Sequence, residues 1–128
     1  MSSFLIIAQS DLQVASLIMN TLTDELAICK AAYHVQQAVE KILKGILELS
    51  GIDASYKQYR TRDIDLLISF IPKDKEVPEI IQERAFKITK WAVEARYNIN
   101  YRVSLKELQM VYEACDKWLE GLLKTMNT

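Results

Sequence analysis

Glycine and proline are scarce in this chain, three and two in 128 residues. A fold of many short strands and tight turns needs more of both, so the shortage excludes most all-β designs and suits long helices. Histidine occurs once and cysteine twice. With no Cys-x-x-Cys pair and no second histidine, the ligand set of a zinc site is missing. Cys29 and Cys115 each fall inside an apolar helical pattern, and they are expected as free, buried, reduced thiols rather than a disulfide or metal ligands. No cofactor is expected. A glycine-rich phosphate loop has no place among three scattered glycines.

An excess of either charge is also lacking: 16 basic residues stand against 17 acidic ones, net −1. No global positive field draws in nucleic acid, so any RNA or DNA contact must use a local basic patch. Long hydrophobic runs are absent. The apolar stretch Phe4-Leu5-Ile6-Ile7-Ala8 lacks a basic flank and is too short for a signal core or a membrane span, which points to a cytoplasmic protein.

What is present is helical periodicity. Half of the residues are apolar and 26% are charged, as in an ordinary globular chain, and the length suits one domain over residues 1–128. Leu5, Ala8, Leu12, Ala15, Met19 and Leu22 recur in steps of three and four, predicting one helix over about 4–21. A capping box of Ser10 and Gln13 is the competing start. Thr23 or Asp24 can cap a second helix of about 25 residues, whose apolar arc of Ala31, Val35, Ala38, Val39, Ile42, Leu43 and Ile46 makes it the central element. Ser50-Gly51 supplies its left-handed stop.

After a loop over 51–60, a short helix carries Ile64 to Phe70 and ends before Pro72. A charged turn leads to Pro78, in the first turn of a fourth helix with Ile81, Ala85, Ile88, Ala92 and Ala95 inward. Glu83 with Lys87 and Lys90 with Glu94 are spaced to pair along its outer side. Ser104 with Glu107 forms a capping box for the last helix, predicted to bury Leu105, Leu108, Tyr112, Cys115, Leu119 and Leu122. Short connections give antiparallel neighbours. The expected fold is all-α, an up-and-down bundle of four to five antiparallel helices.

Three clusters carry polar chemistry. Opposite the apolar arc of helix two, Tyr33, Gln37, Glu40 and Lys44 form one line with His34 and Lys41 beside them. This is either a solvated face with a Glu40–Lys44 pair, or a face that neighbouring helices cover to make a polar groove or a subunit interface. Arg96, Tyr97, Tyr101 and Arg102 follow where helix four ends. Tyr56, Lys57, Tyr59, Arg60 and Arg62 form a basic and aromatic loop. Arginine and tyrosine together can stack on bases and clamp phosphates; loop tyrosines also pack down on bundle ends, and arginine at a helix C-terminus favours the dipole. No nucleophile–base–orienter set is evident, and His34 is the sole imidazole.

Ala31-Ala32-Tyr33-His34-Val35-Gln36-Gln37-Ala38-Val39-Glu40-Lys41-Ile42-Leu43-Lys44 resembles the signature helix of the HEPN domain, the helical nucleotide-binding module of higher eukaryotes and prokaryotes. Thr61-Arg62-Asp63-Ile64 with Leu67 resembles the family's Thr-His-Asp-Leu helix start, with Arg62 at the histidine position. Glu94-Ala95-Arg96-Tyr97 resembles the Glu-Ala-Arg-Tyr that closes its fourth helix. The resemblance implies a bundle of four or five helices that commonly dimerises. In prokaryotes it implies a minimal nucleotidyltransferase encoded alongside, as in toxin–antitoxin or defence pairs.

Several branches of the family are metal-independent ribonucleases that use an arginine followed four to six residues later by a histidine. Arg96 matches the arginine, but Tyr97-Asn98-Ile99-Asn100-Tyr101-Arg102-Val103 supplies no histidine, so the expected acid/base partner is missing. The resemblance therefore favours a non-catalytic, homodimeric subunit that binds a nucleotide or RNA or pairs with a nucleotidyltransferase. A divergent ribonuclease, with His34, Tyr97 or Tyr101 in place of the histidine, is the enzyme alternative. A purely structural interaction module is the third. Nucleotide transfer onto a tyrosine by the partner is a further family-level expectation, with Tyr97 and Tyr101 as the exposed candidates.

Overall fold

The computed structural model describes residues 3–22 and 24–126. All regular structure among them is helical. The elements are α1 (Ser3–Thr21), α2 (Glu25–Leu49), a single 3₁₀ turn (Lys57–Tyr59), α3 (Ile64–Phe70), α4 (Glu79–Glu83), α5 (Ala85–Trp91), α6 (Glu94–Tyr97) and α7 (Leu105–Met126). The bundle is the expected one, with the predicted fourth helix divided into α4, α5 and α6.

Helix α1 runs unbroken through Ser10, so the alternative start there is not used. Asp24 caps α2 by accepting from the Ala27 amide at 2.9 Å; Thr23, the other proposed cap, lies outside the described residues. At the far end Gly51 takes φ +83°, the left-handed stop, and the Ile52 amide turns back to the Leu47 carbonyl at 2.9 Å. Asp63 caps α3 through the Leu66 amide at 3.2 Å.

Helix α2 is central. Leu5, Ala8, Leu12 and Ala15 of α1 close one side of it, while Leu108, Val111, Cys115 and Leu119 of α7 join the same core. Ile64 and Leu67 of α3, Ile81 of α4, and Ala85, Ile88 and Trp91 of α5 complete it. The inward series Ile81, Ala85, Ile88, Ala92 and Ala95 is buried as expected. Cys29 and Cys115 are free and buried, and burial pushes the Cys115 thiol well up.

Two stripe-end residues differ from expectation. Leu22 falls just past α1 and is 48% exposed, and Leu105 opens α7 at 42%. Each stands at or beyond the end of its helix, and Val111 takes an inner position on α7.

The division near residue 92 has a local cause. The Thr89 hydroxyl donates to the Ala85 carbonyl at 2.8 Å and accepts from the Ile64 amide at 2.9 Å. Back-bonding of this kind bends a helix. Just beyond it the backbone tightens to three-residue steps, with the Ala92 amide on Thr89 and the Val93 amide on Lys90.

The outer ion pairs differ from the expected ones, the first spanning the break at Arg84 and the second the break after Trp91. Lys87 joins Glu107 of α7 at 3.1 Å rather than Glu83, Glu83 turns to Arg84, and Lys90 lies 4.8 Å from the Phe86 ring centre instead of pairing with Glu94. Ser104 caps α7 through the Glu107 amide at 3.3 Å, leaving the Glu107 carboxylate to bridge to Lys87.

Candidate functional site

The polar line on α2 is covered, not solvated. Gln36 is fully buried, Glu40 is 5% exposed and Lys44 9%. Lys41 and Lys44 each donate to Glu40 Oε2 at 3.0 Å. Gln36 Nε2 donates to Glu40 Oε1 at 3.3 Å and to the Arg62 carbonyl at 3.4 Å, and Gln37 donates to Gln36 Oε1 at 2.7 Å. Burial alone would push the Glu40 carboxyl up, but Lys41 and Lys44 outweigh it and hold it below its usual range. The network therefore keeps one carboxylate between two ammonium groups in a nearly closed setting. Gln36, which sequence reasoning did not single out, is its hub. It falls among Ala32, Val35 and Val39 on the buried arc, which is the signal that could have found it.

At the N-terminal end of the same helix a different arrangement appears. The Arg96 guanidinium, carried by α6, lies 4.6 Å from the Tyr33 ring centre and 4.7 Å from that of Tyr97. Two aromatic faces thus hold one cation at the surface, with Tyr97 68% exposed. Arg96 and Tyr97 also line a groove of about 370 Å³ with Asn98 and Ile99, facing Leu26, Cys29 and Lys30 of α2. Its charged groups, Lys30 and Arg96, are both positive, and Leu26, Ala95 and Ile99 give it an apolar surface. An anion at the rim with a flat apolar body beneath is what such a lining accommodates.

His34 meets Tyr33 edge-on, ring centres 5.4 Å apart, and its Nδ1 lies 3.1 Å from Asp11 Oδ1. An ionised carboxylate only accepts, so Nδ1 carries the proton in this pair and Nε2 is left for other partners. Asp11 is absent from the candidates that sequence reasoning supplies. It is the one charged side chain in α1, and a lone charge on an otherwise neutral helix is the clue to a specific partner.

Other candidates are placed elsewhere or are already engaged. Arg102 is tied to Glu25 and to the Ile99 and Tyr101 carbonyls, which pins the loop after α6 onto the start of α2. Tyr101 is half-buried against the core rather than exposed. Burial, with Cys29 and Glu94 nearby, pushes its phenol up against an opposing hydrogen bond with Trp91, so it stays protonated.

Two side chains of the basic loop have partners within the chain. Tyr59 packs edge-on against Phe70 at 5.1 Å, and Arg60 is bound to the Ser55 carbonyl at 2.9 Å. Tyr56, Lys57 and Arg62 keep exposed side chains. Among the described residues no group of three or more His, Cys, Asp or Glu side chains is gathered to hold a metal, and no helix is long and apolar enough to cross a membrane.

Comparison with known proteins bears on this arrangement. No curated protein matches the chain. Among solved structures, the crystal structure of TT1696 from Thermus thermophilus is similar at a TM-score of 0.70 and 25% identity, covering 91% of each chain. The family model described as the HEPN domain matches residues 1–124, a span that includes the α2 network and the Arg96 groove, and the chain belongs to the HEPN domain family.

Proposed function

We propose that this chain is a non-catalytic, homodimeric HEPN subunit that binds a nucleotide or single-stranded RNA in the groove beside Arg96. It works alongside a minimal nucleotidyltransferase in a toxin–antitoxin-like or defence module. The observation that carries the binding site is the Arg96 guanidinium held between Tyr33 and Tyr97 at the mouth of a groove whose charges are both positive. Tyr97 offers an exposed face for a base, and Arg96 and Lys30 offer donors for phosphate. The absence of histidine between Tyr97 and Val103 supports the non-catalytic assignment.

Fluorescence anisotropy with an end-labelled single-stranded RNA tests this reading. Wild type binds with a strong salt dependence, and Arg96→Ala loses about tenfold or more in affinity. Equal binding by the two proteins would remove the groove from consideration. Sizing of the pure protein tests the dimer, and co-purification with a small nucleotidyltransferase tests the partner.

One observation favours a ribonuclease as a second reading. Asp11 fixes His34 through Nδ1, and Tyr33 contacts both that imidazole and the Arg96 guanidinium. A histidine so oriented can exchange a proton with a ribose 2′-hydroxyl while an arginine steadies the phosphate. Metal-free cleavage of a mixed RNA by wild type, abolished by both His34→Ala and Arg96→Ala, would establish it in place of the first.

A further inference from the structure

Helix α7 packs antiparallel to α1, and the seam between them stays open at the surface as two cavities in line. One, of about 280 Å³, lies between Gln9 and Gln13 of α1 and the C-terminal half of α7. The next, of about 250 Å³, lies between Ser16 and Asn20 of α1 and the N-terminal half of α7. Tyr112 lines both, so they form one groove. Partly buried Met19, Tyr112 and Leu123 form its apolar floor, over the buried Leu12 and Leu119. Along α7 it runs from Gln109 to Lys124, roughly 22 Å at the helical rise, which is the length of a four-turn helix.

The two walls differ in kind. Helix α1 contains no lysine or arginine, and its one charge, Asp11, is taken by His34. Its groove side presents amides, and Ile6 and Leu17 fall in line with Gln13 at steps of seven and four, forming an apolar lip 51% and 64% exposed. The α7 wall carries Glu113, Asp116 and Glu120 in line. Glu120 is paired with Lys124 at 3.1 Å, whereas Glu113 and Asp116 have no ion-pair partner among the described residues. The facing wall brings no cation to them. An apolar floor and lip opposite a wall with two carboxylates, Glu113 and Asp116, that lack an ion-pair partner among the described residues is complementary to one shape of ligand.

We infer that the α1–α7 groove is a docking surface for a basic amphipathic helix of a partner protein, about four turns long, its apolar stripe on the floor and its lysines or arginines against Glu113 and Asp116. Helix-in-groove recognition uses apolar anchors at three- and four-residue steps, and charge at the rim sets orientation and partner choice. The groove is formed by α1 and α7, whereas the Arg96 groove is formed by α2 and the segment around α6, so the inference stands apart from the RNA reading.

The test uses the full chain and a fluorescein-labelled 15-residue leucine–lysine peptide with leucines at helical spacing. A scrambled peptide of the same composition and a leucine–glutamate peptide serve as controls. The basic amphipathic peptide binds in the micromolar range, more weakly as salt rises, and neither control binds. The Glu113→Gln/Asp116→Asn double variant and Leu17→Glu each weaken it by about five- to tenfold; both alter exposed positions, and circular dichroism verifies that they fold. Equal binding of the scrambled or acidic peptide overturns the proposal, as does indifference to both variants. Self-association abolished by Leu17→Glu, without peptide binding, also overturns it and assigns the groove to a second copy of this chain.

Discussion

Arg96 sits over the face of Tyr33, its guanidinium carbon 4.6 Å from the ring centre, although α2 and α6 are separated in the chain by three other helices. With Tyr97 on a second face at 4.7 Å, the planar cation is pre-oriented and its edge N–H groups remain for an anion. Each exposed stacking contact is worth only about 0.5–1 kcal/mol. Their effect is to remove rotamer freedom that a free arginine would surrender on binding.

This arrangement predicts the behaviour of Tyr33→Leu. Leucine fills part of the half-buried volume, so the fold survives at a cost of about 1–2 kcal/mol, but Arg96 loses one supporting face. RNA affinity should fall about three- to tenfold with unchanged far-ultraviolet circular dichroism, read by anisotropy beside urea unfolding. Unchanged affinity would mean that Tyr33 only packs.

Arg102 provides a contrasting case. Its ties to Glu25, Ile99 and Tyr101 hold the loop after α6. Arg102→Ala should therefore raise hydrogen exchange over residues 98–103 while leaving the salt slope of RNA binding where it was. An arginine that contacts phosphate would instead lower that slope by about one.

Much of the bundle is legible in the sequence because its determinants are local. Asp24, Gly51, Asp63 and Ser104 act on backbone groups within five residues of themselves, and the apolar steps of α1 and α2 repeat for several turns. Leu22 and Leu105 escape that reading because both stand at helix ends, where periodicity does not say whether a neighbour still covers the stripe. The break after α5 depends on Thr89, whose bond to Ile64 exists only once α3 is in place. For the site, sequence and resemblance name Tyr33, Arg96 and Tyr97, but the stacking of Arg96 on Tyr33 and the pairing of Asp11 with His34 are tertiary facts. The bonds of Arg102 to Glu25 and of Arg60 to the Ser55 carbonyl are likewise tertiary or loop contacts that residue type alone does not reveal.

Thr89 itself yields a stability prediction. Its hydroxyl is the acceptor for the Ile64 amide at the start of α3. Thr89→Val keeps the shape and removes that acceptor, leaving a part-buried N–H without a partner, at a cost of about 1–3 kcal/mol. Urea unfolding measures the loss. Thr89→Ser retains the hydroxyl and should recover most of it; a Thr89→Val protein as stable as wild type would mean that the Ile64 amide does not depend on this acceptor.

Glu40 gives the pH dependence. Lys41 and Lys44 hold its carboxyl below the ordinary value of 4.5 despite burial. A carboxyl whose pKa is lowered by folding adds stability that is fully present above its unfolded pKa and is lost as pH falls through the folded value. The expected signature is therefore an acid limb below about pH 4.5 that is steeper in wild type than in Glu40→Gln. At pH 7 the variant leaves Lys44, nearly enclosed, without its counter-charge, and removing one partner of a buried pair costs about 3–5 kcal/mol. As pH falls through the folded value wild-type Glu40 becomes neutral as well, so the difference between the proteins should shrink. Unfolding free energies across that range decide the matter: a constant gap would mean that glutamine fails by shape or hydrogen-bond geometry, while a gap closing on acidification would identify the Glu40 charge as what holds Lys41 and Lys44 in place.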